Sequence, residues 1–542
     1  MNKILILLLV SLVLSACVPA TLPPAPVKTT VSPTPIAEQS PWWQNTVFYE
    51  IFVRSFYDSN GDGIGDFNGL TQKLDYLNDG NPNTHTDLGI TGIWLMPIHP
   101  SPSYHGYDVT NYYTVNPDYG TMDDFKRFLT EAHRRGIRVI IDLVLNHTSN
   151  QHPFFKDALS SPQSKYRDWY LFSDTDQGIG WYPLQGGGYY YGFFCDCMPD
   201  LNYRNPDVTA QMENVVRFWL NDVGVDGFRL DAINHLIEEG NKTENTPATH
   251  EWLKGFYTAY KADNPQAYTV GEVYGAGAAL VKSYTGDQMD QAFNFEMASG
   301  FVNSAQGGSN PAVNSAMQFA LHDMPSFDFA TFLTNHDQNR VMSTLNGNVD
   351  KAKVAAALML TSPGTPFIYY GEEIGMLGEK PDEDIRLPMQ WSDAANAGFT
   401  TGQPWRPPEA NYPQANVAAE TENPDSLLSY YRMLIALRDE HSALRSNQIW
   451  LFNSTSPGVF ASLRSDSKEK LIILVNLSSK PIQDYTLALS SSPLDGQYAL
   501  TSLFGDGSLS TLSFNQDGSI SNAKPMAELA PFTTYILELT SK

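Results

Sequence analysis

The chain has 542 residues, too many for one simple core, and two or three domains are expected. Apolar residues make up 42% and leave ample material for buried cores, while 34 Lys plus Arg against 59 Asp plus Glu give a net charge of −25. That balance repels nucleic acid and anionic lipid surfaces, so neither is an expected partner, and the 12% of aromatic residues suits neutral ligands with flat apolar faces, such as sugars.

At the N-terminus, Lys3 precedes the thirteen-residue apolar run "ILILLLVSLVLSA", too short to span a bilayer as a mature helix. It ends in "LSAC" (14–17), which resembles the bacterial lipoprotein lipobox. The resemblance implies removal of residues 1–16 as a signal peptide and a diacylated Cys17. Residues 17–41 are rich in Pro, Thr and Ser and read as an extended tether that packs no core. The expectation is an extracytoplasmic monomer, at the cell surface or in the periplasm, that meets a bacterial membrane only through its lipid.

"VFYEIFV" (47–53) reads as the first strand. "DSNGDGIGDFNGL" (58–70) follows, with Asp58, Asn60, Asp62, Ile64 and Asp66 at the alternate positions of a calcium-sensor loop. Position twelve is Gly69 where a bidentate Glu belongs, and a strand enters in place of a helix. The loop can bind a cation, but it is no sensor. Further strands are expected at 92–97, 137–144, 225–230, 267–273, 290–295, 329–334 and 365–370. Helical stretches such as "TMDDFKRFLTEAHRRG" separate them and close on glycine. Eight strand–helix units read as a parallel (β/α)₈ barrel rather than a doubly wound sheet, over 42–147 and 207–445. Residues 148–206 lack helical periodicity and are too long for a structureless loop, so an inserted domain is expected there. Within it, the C-x-C spacing of Cys195 and Cys197 gives poor disulfide geometry if extended, and a free or strained thiol pair is expected. After a helix at 425–441, residues 446–542 alternate strands with turns, as in an antiparallel β-sandwich.

Sites of such barrels lie at the C-terminal strand ends. There the chain carries Asp142, Asn146 and His147 ("DLVLNH"), Arg229, Asp231 and His235 ("GFRLDAINH"), Glu272 ("GEVY"), and His336 and Asp337 ("TNHD"). Paired carboxyls suit glycoside hydrolysis, one protonated for the leaving oxygen and one ionised for the oxocarbenium carbon. Arg229, two residues before Asp231, shares its strand face and should lower its pKa. Glu272 has no cation adjacent in sequence and suits the acid/base role.

These four motifs, in this order and spacing, resemble the conserved regions of the alpha-amylase family of glycoside hydrolases. The likeness runs from about Trp42 to the C-terminus. It implies Asp231 as nucleophile, Glu272 as general acid/base and Asp337 as transition-state stabiliser, with retention through a covalent glycosyl-enzyme. It further implies that Arg229, His147, His336 and His235 surround the sugar at the cleavage point, and that Tyr107 of "SYHGYDVTNYY" stacks beneath it, followed by Asp108. "MPDLN" (198–202) resembles the form seen in members intermediate between oligo-1,6-glucosidases and neopullulanases. Exo-acting members usually carry Asp three residues before the Tyr of "GYD"; Tyr104 stands there and argues for an open cleft. The opening loop is similar to a structural calcium site of this branch, with Asp58, Asn60, Asp62, the Ile64 carbonyl and Asp66 as ligands. A second calcium, held through Asn146 and the His235 carbonyl, needs an Asp of the inserted domain that the sequence does not single out. The expected activity is endo-acting α-amylase on starch, glycogen and maltooligosaccharides. A 4-α-glucanotransferase, an α-glucosidase and a non-catalytic starch-binding lipoprotein are the alternatives. Trp181, Tyr182, Tyr189 to Tyr191, Phe193 and Phe194 divide between sugar platforms and the insert's own core. Trp42 and Trp43 read as a staple to the barrel, and Arg386 and Trp391 as either cleft or structural residues.

Overall fold

The computed structural model describes residues 41–324, 326 and 328–542. The expected signal peptide, Cys17 and nearly all of the expected tether lie outside the described residues, and no described helix is long and apolar enough to cross a membrane. Eight parallel strands close a barrel: β1 (Phe48–Ile51), β2 (Gly92–Leu95), β3 (Arg138–Val144), β4 (Gly227–Asp231), β5 (Tyr268–Gly271), β6 (Gln291–Phe293), β7 (Phe329–Thr331) and β8 (Thr365–Tyr369). Every expected strand is present, trimmed by one to three residues at one or both ends, except that β4 runs one residue further, to Asp231.

The two-residue side-chain period sorts each strand into an inner and an outer set. Phe48, Trp94, Ile140, Tyr268, Val270, Phe293 and Phe367 pack together as one cluster inside the barrel. Tyr49, Ile51, Ile93, Leu95, Ile141, Phe228 and Leu230 belong to the larger core under the surrounding helices. One layer above the inner cluster, the same parity brings charged residues inward. Glu50 is in register with Trp94, Asp142 with Arg229, and Val144 with Asp231. The register that fills the barrel floor thus also builds its mouth. Trp42 and Trp43 staple the chain to the floor: Trp42 Nε1 donates to the Gln266 carbonyl at 3.0 Å, and Trp43 stacks on Tyr268 at 5.1 Å.

The helix Met122–Arg134 opens on a capping box between Thr121 and Asp124, and Gly136 follows its C-cap with φ +78°. After β3 the insert contains the helix Pro153–Ser160 and a three-stranded sheet of Phe172–Ser173, Trp181–Pro183 and Tyr189–Tyr191. The helix Leu427–Glu440 leads to a C-terminal domain with a six-stranded and a three-stranded antiparallel sheet that share their own apolar core. Two buried arginines pin this junction through carbonyls. Arg438 donates to Leu360, Ser362, Leu444 and Gly364 at 2.7–2.9 Å, and Arg464 donates to Thr361, Leu444 and Ser446.

Candidate active site

β3, β4 and the end of β5 deliver three carboxyls to one guanidinium. Arg229 Nη1 bonds Asp231 at 2.6 Å and both oxygens of Asp142 at 3.0 and 3.1 Å, while Nη2 bonds Glu272 at 2.7 Å. Glu272 Oε2 also accepts from the Ala232 amide at 3.1 Å. Burial raises Asp142 to about 7 against the pull of Arg229. Burial also raises Asp231, outweighing Arg229, with Glu272 adding to the rise. Two sequence expectations are corrected here. The guanidinium does not hold Asp231 below its ordinary range, because removal from water costs the carboxylate more than one shared cation returns. Nor is Glu272 without a cation, because the barrel closes Arg229 onto it from the neighbouring strand.

Across the mouth, Tyr107 bonds His336 Nε2 at 2.6 Å and donates to Asp142 at 3.2 Å. His336 Nδ1 is held by Glu50 at 2.6 Å, and its Nε2 lies 3.3 Å from Asp337. Asp337 also pairs with Arg386 at 2.8 Å. Burial alone would raise the Asp337 carboxyl, but His336, Arg386 and Arg229 outweigh it and hold it low. Trp94 closes the floor, 5.2 Å from the Arg229 guanidinium and 5.5 Å from the His336 ring. The mouth therefore holds one carboxyl kept ionised by cations and a separate group of three that share one. Proton transfer beside a stabilised anion is within its reach.

Residues 50–447 match the family model for the catalytic domain of alpha amylases. The chain is 41% identical over 448 residues to Alpha-amylase 3 of Dictyoglomus thermophilum, covering 81% of this chain and 86% of that one. The chain belongs to the alpha-amylase family. It is also 34% identical over 522 residues to the oligo-1,6-glucosidase of Parageobacillus thermoglucosidasius, covering 81% and 91% respectively. The crystal structure of the alpha-amylase from H. orenii matches with a TM-score of 0.80 at 39% identity, over 91% of this chain and 99% of that one.

Within this family frame, the structure separates the expected site residues. Asp231, Glu272, Asp337, Arg229, His336 and Tyr107 meet in one bonded network. His147 is buried beside it and neutral, its ring lowered by burial to about 4 and edge-on to Phe194 at 5.3 Å. Asp108 is buried under the hydroxyls of Ser101 and Ser103, outside the carboxyl cluster. His235 is set off to one side, bonded to the Thr243 carbonyl at 3.0 Å and stacked on Phe193 at 4.0 Å. Arg386 is a mouth residue, whereas Trp391 is structural, buried and donating to the Phe56 carbonyl at 2.7 Å. Tyr104 stacks on Trp405 at 5.5 Å, with its hydroxyl 3.4 Å from Arg386. Glu50 and Trp94 were not singled out in sequence, and Asp142 was noted at its strand end but given no role. Their signal was polar or bulky side chains inside strands otherwise wholly apolar.

In the loop after β1, Asp58, Asn60 and Asp62 each accept from the amide two residues on, at 2.9 Å. Gly63, at φ +93°, must be glycine: a Cβ there would lie 1.8 Å from the Gln403 carbonyl oxygen. The side-chain donors are all oxygens, as a hard cation requires. Among the described residues, however, only Cys195, Asp196 and Cys197 bring three His, Cys or acidic ligand atoms all within 4.8 Å. Those cysteines correct another expectation, for they form a disulfide. Residues 195–198 make a turn, closed by Met198 N to the Cys195 carbonyl at 3.1 Å, and the turn brings the two Cα atoms to 5.2 Å, inside bridging range. The acid that the second cation reading lacked has a candidate in Asp200. It is buried next to Asn146, whose backbone carbonyl takes the Leu201 amide at 2.9 Å. Asp200 Oδ2 and both side-chain atoms of Asn146 are without hydrogen-bond partners among the described residues.

Proposed function

We propose that the protein is a retaining, endo-acting α-amylase that hydrolyses α-1,4 bonds of starch, glycogen and maltooligosaccharides. The supporting observation is the position of Asp231 and Glu272 on the two amino ends of one guanidinium, at 2.6 and 2.7 Å. One guanidinium shared by both carboxyls keeps them near each other, which supports the closer spacing of retaining over inverting enzymes. Asp231 attacks the anomeric carbon while Glu272 passes a proton to the leaving oxygen; Glu272 then draws the proton from the water that releases the sugar. Asp337, kept ionised by Arg386 and His336, accepts from sugar hydroxyls as positive charge develops. Tyr107 offers its ring to the sugar and His147 its ring nitrogens, while His336, engaged by Glu50 and Tyr107, holds Tyr107 and Asp337 in place.

Tyr104 supports internal cleavage. It fills with a ring, stacked on Trp405, the place where exo-acting members usually set an Asp to close the pocket. Calcium at Asp58, Asn60, Asp62, Ile64 and Asp66 belongs to the same proposal, supported by the loop's oxygen donors and their order. The lipid anchor at Cys17 and an extracytoplasmic location rest on "LSAC" and the tether alone.

The test is digestion of soluble starch by the chain from Gln39 onward, beside Glu272→Gln. Rapid loss of polymer length with short products, abolished in the variant, is the expected result. Reshuffled chain lengths without new reducing ends would make it a glucanotransferase. Glucose released alone from chain ends would make it an α-glucosidase, and binding without turnover a capture protein.

A further inference from the structure

Glu50 does no chemistry in the reaction proposed above, yet it is the one acid of β1 and is almost wholly buried. The strand parity that turns it inward puts it in register with Trp94 on β2 and Tyr369 on β8. Its Oε1 lies 2.6 Å from His336 Nδ1, and among the described residues that ring is its one ion-pair partner. A carboxylate taken out of water between aromatic neighbours needs a cation, and here only a histidine is within reach.

The other edge of the same ring meets a second acid. His336 Nε2 is 3.3 Å from Asp337 and 2.6 Å from the Tyr107 hydroxyl, and that hydroxyl is 3.2 Å from Asp142 and 3.4 Å from Arg229 Nη1. The hydrogen count decides the state of the ring. A neutral imidazole has one N–H and one lone pair. With the N–H turned to Glu50, the lone pair at Nε2 would face the Asp337 carboxylate. The single Tyr107 hydrogen would then have to go to Nε2, and Asp142 would lose it. With both nitrogens protonated, Nδ1 donates to Glu50, Nε2 donates to Tyr107, and Tyr107 donates its own hydrogen to Asp142. Every acceptor in the row then has a donor, and no lone pair opposes a carboxylate. The groups around the ring agree with this count. Glu50 faces it from β1 and Asp337 from the segment after β7, Arg386 opposes them from the segment after β8, and the uncharged rings of Tyr107 and Trp94 close the remaining sides. Asp142 on β3 also feels its charge. Burial pulls the His336 ring down, but Asp337 and Glu50 outweigh burial and Arg386 together and carry it above its ordinary range.

We propose that Glu50 is a positioning residue that holds His336 as an imidazolium, and that this fixed charge aligns Tyr107 and keeps Asp337 an anion. Its consequence for catalysis rests on the amylase reading above, in which Asp337 meets the positive charge that develops on the sugar. Glu50 acts through the ring, and its negative charge cancels the positive charge of the imidazolium, so the pair brings no net charge to the mouth. Without that carboxylate the ring gives up a proton, and Asp337 loses the largest of the cations that hold it low against burial.

The experiment compares Glu50→Gln and Glu50→Asp with the unmodified chain. Gln keeps the length and offers a carbonyl to Nδ1–H but carries no charge, whereas Asp keeps the charge on a shorter arm. Isotope-labelled histidine rings are observed by NMR at a pH of about 8, roughly 1.5 units above the ordinary histidine value. The expected result is a doubly protonated ring that Glu50→Gln abolishes and Glu50→Asp retains. On maltoheptaose, Glu50→Gln should lower kcat/KM about 10- to 100-fold, through kcat more than KM because Asp337 is called on as charge develops, and Glu50→Asp should restore part of the loss. No doubly protonated ring in the unmodified chain, a ring that Glu50→Gln leaves doubly protonated, or an unchanged kcat in Glu50→Gln overturns the assignment. If Glu50→Gln does not fold, a displaced signal of that ring in Glu50→Asp supports the assignment and an unmoved one overturns it. Failure of the unmodified chain to cut any α-glucan overturns the amylase reading instead, and the spectra still decide the state of the ring.

Discussion

Replacing Arg229 with Lys tests whether one shared guanidinium orders the reacting carboxyls. Nη1 stands between Asp142 and Asp231, and Nη2 stands against Glu272. An ammonium is a single donor centre that can occupy one of these places but not both. Arg229→Lys therefore loses at least one buried charge-assisted hydrogen bond, worth about 1.5–3 kcal/mol. If that bond positions a reacting group, kcat/KM on maltoheptaose falls about 10- to 150-fold. The pH profile then shows which bond was lost, since a carboxyl deprived of its cation titrates higher. Loss at Asp231 moves the acidic limb of kcat/KM upward, whereas an acidic limb left in place puts the loss at another carboxyl. Arg229→Met serves as the folding control: it leaves three buried acids without this cation and costs about 3–5 kcal/mol of stability, which Lys avoids by keeping a charge. A Lys variant with near-normal kcat/KM and unmoved limbs would refute the reasoning.

Three further perturbations address the rest of the molecule. Calcium at one hundred times its Kd should stabilise the chain by about 2.7 kcal/mol, read as a melting shift that chelation removes and that Asp62→Ala, exposed and bonded only to the Ile64 amide, abolishes; a calcium-independent melting temperature defeats the loop assignment. Stability should fall as pH rises from about 6.5 to 8.5, because Asp142 and Glu420 at about 7 and Glu372 at about 8, all raised by burial, hold protons that the unfolded chain has already released. Below that window the buried His99, His147 and His152, lowered by burial to about 3, 4 and 4, act with the opposite sign, since unfolding lets them take up protons; calorimetry that shows stability still climbing at pH 8 contradicts the assignment. Arg438→Met strips the donor from four buried carbonyls and should cost about 4 kcal/mol or more in denaturant titration; a loss below 1 kcal/mol would show that water replaces the guanidinium.

The sequence carried the barrel because parallel strands are buried on both faces and read as short apolar runs between amphipathic helices. Its candidate acids were legible because each stands at or beyond the end of such a run. What it did not carry were relations across strands. Glu272 has no cation near it in the chain, yet Arg229 lies in the adjacent strand, and only barrel closure puts them 2.7 Å apart. Glu50 sits inside "VFYEIFV", where an ionised group needs a partner, but that partner is His336, 286 residues on. The disulfide was missed for a local reason: its geometry was judged for an extended segment, whereas residues 195–198 turn. Asp200 was hidden in "MPDLN" because its importance lies in burial next to Asn146, which spacing does not report.

These cross-strand relations also separate what the relatives share from what divides them. The carboxyl cluster and its guanidinium are built from inward positions of β3, β4 and the end of β5, where the register leaves little freedom. Relatives with different printed activities can therefore keep that centre and differ around it. Here the surroundings are Tyr104 stacked on Trp405 on one side, and Phe193, Phe194 and a cleft lined by Trp181 on the other. All of these lie on loops or in the insert, where backbone and side chains can change without disturbing the barrel. Under the proposed reading, bond breaking falls to residues of the strands, and what divides the relatives falls to loops and the insert.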